Sequence, residues 1–151
     1  MRLFTVVFVI LAATPTLSLH AASVDDKIQD ATQIAALENR ANLASPREQC
    51  FLYAELVHQM AELAGRQLSD GDARAASLTL AAIQTYASKI HIGLADDSKR
   101  MKNAEMLMRH TAFRLKEVLL GSSADDRPTV EATLKQLNQV QAELMLRVFR
   151  H

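Results

Sequence analysis

The stretch Ser45–Asp72, SPREQCFLYAELVHQMAELAGRQLSDGD, decides the fold. It opens on Ser45-Pro46-Arg47-Glu48, where serine at the N-cap, proline at the first helical position and glutamate at the third predict a capping box. Tyr53, Leu56, Val57, Met60, Leu63 and Ala64 then recur at threes and fours, which predicts a helix with one core-facing stripe. The stretch closes on Ser69-Asp70-Gly71-Asp72, with a glycine suited to the left-handed position just past a helix end. Such a stripe needs another helix to cover it, and the short turn favours an antiparallel neighbour.

Working outward, Gly121–Asp126 reads as a second loop, and the last helix begins near Pro128 and runs almost to the C-terminus. Its stripe is Val130, Leu134, Leu137, Leu144 and Val148, interrupted by Gln141. A first helix is expected from about Asp25 to Leu43, with Asp25 and Asp26 near its positive end. Between Asp72 and Leu120 Ile83, Tyr86, Ile90, Leu94, Met101, Ala104 and Met108 keep one apolar spacing of three and four, spoiled only by Asp97. It predicts one helix of ~70 Å at 1.5 Å per residue, bent near Gly93. The fold class is therefore all-α, an antiparallel helical bundle of about four helices with one long helix near 72–120. The alternative is a break near 93–98, giving a compact up-and-down five-helix bundle. Between Glu62 and Tyr86 the pattern resembles a single tetratricopeptide hairpin, but no second copy follows at a fixed period.

Composition agrees with helix throughout. There are 4 glycines and 3 prolines, and no segment alternates as a half-buried strand does. The formal net charge is +0, which calls for neither nucleic acid nor an anionic membrane surface. Residues 1–22 read as a secretory signal peptide: Arg2, the apolar run LFTVVFVILAA from Leu3 to Ala13, Pro15, then small residues around Ala21-Ala22-Ser23. That run is well short of the ~20 residues that span a bilayer. Residues 23–151 are left as a single helical domain, periplasmic or secreted, with no membrane insertion once the signal is removed. Cys50 is the only cysteine, so no internal disulfide can form.

Four features bear on chemistry. Glu55-Leu56-Val57-His58 has the E-x-x-H spacing of di-metal bundles, but the chain has no second copy, and Phe51, Glu55, His58 and Glu62 fall roughly opposite the core stripe. A solvated polar face is the expectation there. His91, Met101, Met106, Met108 and His110 carry thioether and imidazole donors that suit copper. Met101 and Met108 belong to the core stripe, however, while Met106 and His110 project to the other side, so the donors do not converge within one helix. Cys50 lies in the first turn of its helix, where the dipole favours a reactive thiolate, but a lone cysteine is more often a small buried hydrophobe. Finally, Met106, His110 and Phe113 form an apolar stripe opposite Met101, Ala104, Met108 and Leu115. A helix apolar on two faces either packs between layers or offers one face to a partner. The first helix is expected to cover this stripe within the monomer. In the functional reading it is the partner interface, for a homodimer or another exported protein.

Gly-rich phosphate loops, G-x-S-x-G, H-E-x-x-H, C-x-x-C-H and EF-hand patterns are absent, so no enzyme activity, cofactor or bound metal is expected. Ser45-Pro46-Arg47-Glu48-Gln49-Cys50-Phe51-Leu52-Tyr53-Ala54-Glu55-Leu56-Val57-His58 and Lys99-Arg100-Met101-Lys102-Asn103-Ala104-Glu105-Met106-Leu107 are similar to a family of uncharacterised bacterial exported helical proteins. The resemblance covers most of the mature chain and implies a bacterial source and the periplasm, with no assigned activity. The reading from sequence is an exported helical interaction or scaffold module of the cell envelope, with a metal- or small-ligand-binding bundle as the alternative.

Overall fold

The computed structural model describes residues 19–90 and 98–149, with side chains from 29 to 90 and from 99 to 149. Five helices occupy them: α1 (Leu19–Leu43), α2 (Pro46–Ser69), α3 (Ala73–Ala87), α4 (Ser98–Gly121) and α5 (Arg127–Val148). No strand occurs among the described residues. The expected export signal lies outside them up to residue 18, and α1 begins at Leu19, earlier than the Asp25 start read from sequence. None of these helices is long and apolar enough to cross a membrane.

The single long helix over 72–120 is not formed. Helix α3 ends at Ala87 with Ser88 as its cap, and the last turn tightens through Lys89 N–H to Tyr86 O and Ile90 N–H to Ala87 O. Ser88 Oγ also donates to Thr85 O at 2.7 Å. The stop comes before Gly93 and before the 93–98 break of the alternative; residues 91–97 lie outside the described part. The apolar spacing misled because Ile83 and Ile90 on one side of the break, and Ala104 and Met108 on the other, are buried in the same core.

The turns form where the residues place them, with one difference in detail. Ser45 is the N-cap of α2, but its hydroxyl donates to Glu48 Oε2 at 3.3 Å instead of capping a backbone N–H. Glu48 is also held at 3.1 Å by Arg100 of α4. At the far end, Gly71 N–H bonds Leu68 O and Asp72 N–H bonds Gln67 O, with Gly71 at φ 78. That is the double bond pattern which needs a left-handed residue. Asp72 then caps α3 by accepting from Ala75 N at 3.1 Å.

Pair contacts fix the arrangement. Glu48–Arg100, His58–Thr111 and Glu62–Arg114 advance together along both chains, so α2 and α4 run parallel. Tyr53–Tyr86 and Gln67–Thr79 run in opposite senses, so α2 and α3 are antiparallel. The α4–α5 hairpin lies beside the first hairpin, with α5 against α3 and α4 against α2. Helix α1 lies antiparallel on α2, through Asn42–Tyr53 and Asp30–Arg66. Among the described residues α3 and α4 do not pack together, although they follow one another in the chain.

The core is built from Leu56, Leu80, Ile83, Met108, Leu115, Val130, Leu137 and Leu144, all fully buried. Burial of each such side chain contributes about 1.5–3 kcal/mol. Helix α2 is buried over a wider arc than its sequence stripe, including Cys50, Leu52, Ala54 and Ala61, because three helices surround it. In α5 the buried set is Val130, Thr133, Leu137, Val140 and Leu144. Thr133 and Val140 therefore replace the expected Val148, while Leu134 packs at the core's edge. Among the described residues the two buried polar side chains are Thr111 and Thr133. Each hydroxyl donates to the carbonyl one turn back, Leu107 O at 2.7 Å and Thr129 O at 2.9 Å. Each also meets a side chain of the other hairpin, His58 and Gln84 respectively.

Candidate functional site

Helix α4 presents two faces. Met101, Ala104, Met108, Ala112 and Leu115 are buried inward, while Met106 and Phe113 remain 56% and 60% exposed and His110 is exposed beside them. The stripe expected from sequence is thus present, on one surface. Helix α1 does not cover it: α1 packs on α2 and makes no contact with α4 among the described residues. Lys102, Arg109 and Lys116 interleave with Met106 and Phe113 at spacings of three and four, and all five are exposed. This outward face is apolar along its middle and basic along its flank.

The residues read as a solvated polar face of α2 are placed differently. Glu55, His58 and Glu62 are half-buried, because α1 and α4 rise on either side of that face. Arg40 of α1 stands 3.7 Å from Glu55 Oε2, an oxygen that is buried and accepts no hydrogen bond. Glu62 is held by Arg114 of α4 at 3.0 Å, and Arg114 also grips Glu117 at 2.6 Å. The Arg114 hydrogen bond holds the Glu62 carboxyl below its ordinary range, and the two carboxylates raise the guanidinium's own value.

His58 is the residue whose setting sequence alone does not reveal. The Thr111 hydroxyl hydrogen is committed to Leu107 O, so the Thr111 oxygen accepts, and the neighbouring His58 Nδ1 at 3.0 Å must carry the hydrogen. Neutral His58 therefore keeps its lone pair on Nε2. Burial lowers its pKa, opposed by the charge of Glu62 and assisted by His110 and Arg114. The ring of His110 stands 5.4 Å away, centroid to centroid, tilted by 50°. The two histidines come from helices whose register no local pattern encodes.

Two open clefts flank this pair along the α2–α4 seam. One, of about 1100 Å³, is lined at the hairpin-turn end by Asp30, Gly65, Arg66, Arg114, Ser123 and Asp126. The other, of about 960 Å³, is lined by Arg40, Leu43, Phe51, Lys99 and Arg100. In the first, Ser123 Oγ donates to Asp126 Oδ2 at 2.6 Å, a pairing made within one exposed turn before α5. Cys50 is buried, and burial pushes its thiol up to about 11, against the reactive alternative read from its helix position. Tyr86 is pushed up to about 12 by burial and by its hydrogen bond to Glu38. Among the described residues no group of three or more His, Cys, Asp or Glu side chains is placed to hold a metal ion; His91 lies outside them. Set against protein-family models, curated proteins and solved structures, the chain matches none.

Proposed function

We propose that this chain is an exported helical interaction module of the bacterial cell envelope, and that the outward face of α4 is its docking surface. The observation that supports this most is the exposure of Met106 and Phe113 one turn either side of His110 on a helix already fully engaged on its inner side. Exposed large apolar side chains scattered singly need no partner, but aligned on one helix face they form a binding stripe. Lys102, Arg109 and Lys116 along its flank select the occupant: a surface apolar at its centre and acidic at its edge. A second copy docked face to face would set these cations against their own equivalents, so a different exported protein fits better than a homodimer.

The test is photo-crosslinking from position 109 in the cell envelope, comparing wild type with Phe113→Asp, together with light scattering of both purified proteins. The expected result is a discrete crosslinked partner of acidic surface that Phe113→Asp abolishes, with both purified proteins monomeric. Crosslinking indifferent to Phe113→Asp would overturn the assignment of this face. A wild-type dimer dispersed by Phe113→Asp would replace the foreign partner with a second copy.

A further inference from the structure

The geometry points to a metal site nested in the α2–α4 seam: His58 and His110, with the thioether of Met106, form a three-donor pocket for a soft d10 cation, Cu(I) in the first instance. The two imidazoles meet across two helices. His58 comes from α2 and His110 from α4, with ring centroids 5.4 Å apart. Two imidazoles bound to one metal at ~2.0–2.1 Å hold their centroids ~5.2 Å apart at a tetrahedral angle and ~5.5 Å apart at a trigonal one. The observed spacing falls between these limits without any movement of the helices.

The donor atom on His58 is fixed by its surroundings. Nδ1–H is spent on Thr111, the type of outer hydrogen bond that orients metal-bound imidazoles, and Nε2 is left with its lone pair. Met106 precedes His110 by one helical turn, so the two side chains lie one above the other on the same face, and Met106 is exposed with three torsions free to swing its sulfur. Two imidazoles and a thioether make a neutral, soft donor set, which selects Cu(I) over the harder divalent ions. Arg114 would repel a cation, but Glu62 and Glu117 already pair with it.

The experiment is an anaerobic Cu(I) titration of untagged mature protein against a chromogenic chelator, with Ag(I) as the redox-inert probe in histidine-detected NMR. One equivalent should bind and shift the ring resonances of both His58 and His110. His110→Ala, at an exposed position that leaves the core intact, should weaken binding by well over ~10-fold, beyond the loss caused by outer-shell changes. Met106→Leu should weaken Cu(I) and leave any Zn(II) binding unchanged. Phe113→Asp should leave the metal affinity unaltered, which separates this site from the docking face. Absence of one-equivalent binding, or affinity indifferent to His110→Ala, would overturn the site, and indifference to Met106→Leu would overturn the three-donor assignment.

Discussion

A close approach between α2 and α4 supplies a test of their arrangement. Gly65 of α2 has ordinary helical backbone, since among the described glycines only Gly71 has positive φ. A methyl group at Gly65 would stand 3.1 Å from Val118 Cγ2 of α4. Replacing a helix-interior glycine by alanine ordinarily stabilises by about 0.8–1.0 kcal/mol. Here that gain meets a contact several tenths of an ångström too short. Val118 is β-branched and held to one strongly preferred rotamer in a helix, so it cannot swing aside cheaply. Overpacking of this kind costs about 1–3 kcal/mol. Gly65→Ala should therefore be neutral to destabilising by about 1–2 kcal/mol in the wild-type background. With Val118→Ala the obstruction is gone, and the same substitution should recover the full propensity gain. The coupling energy is the difference, about 1 kcal/mol or more, and it is read from a double-mutant cycle of urea unfolding curves followed by circular dichroism. If Gly65→Ala stabilises by the same amount in both backgrounds, to within ~0.3 kcal/mol, the parallel packing of α2 on α4 is refuted.

Leu56→Ala, at a fully buried position, should cost about 2–5 kcal/mol in the same unfolding assay, whereas Leu78→Ala, 68% exposed, should stay within about 0.5 kcal/mol of wild type. The lowered pKa of His58 means that the unfolded chain binds the extra proton first. Stability should accordingly decline as pH falls below about 6.5, until the folded-state ring itself titrates. Glu48 and Glu62, whose values are lowered, add their own loss only as pH falls through the ordinary carboxylate value of 4.5 and below. Thermal melts of His58→Gln should flatten the upper window and leave the lower one unchanged. Cys50, buried with a thiol near 11, should resist a thiol-specific disulfide reagent in the native protein at pH 8 and react at once in urea. Equal rates in both would place the thiol at the surface.

What could be read from the chain was local. The Ser45–Pro46 start, the Asp70–Gly71–Asp72 turn and the Gly121–Asp126 loop carry their own backbone chemistry within a few residues. The helices they delimit follow from that chemistry. The end of α3 was not legible, because no glycine or proline marks Ala87–Ser88 and the apolar spacing crosses the gap in register. The outward position of Met106 and Phe113 could be read from α4 alone, since it depends on the angle per residue. Whether α1 covered them could not, since that depends on which flank of α2 the first helix takes. For the same reason His58 looked solvated: its own helix shows that it points away from the core, but not that α1 and α4 wall it in.

The topology explains why chemistry collects at this seam and not elsewhere. Helix α2 has three neighbours, and only a narrow strip of it faces outward, in the gap between α1 and α4. Polar side chains on that strip, half-buried at Glu55, His58 and Glu62, find partners on the walls. Glu55 and Arg66 turn to Arg40 and Asp30 of α1; Glu48, His58 and Glu62 turn to Arg100, Thr111 and Arg114 of α4. Thr111 and Thr133 do the corresponding work deeper in, one in each interface between the hairpins. Apolar stripes alone would tolerate one hairpin sliding along the other. A shift in register would leave a buried hydroxyl or a half-buried imidazole without its partner, at about 1–3 kcal/mol each. The polar contacts therefore add to the apolar packing in selecting this register. That register sets His58 opposite His110 and leaves the outer side of α4 open beside them.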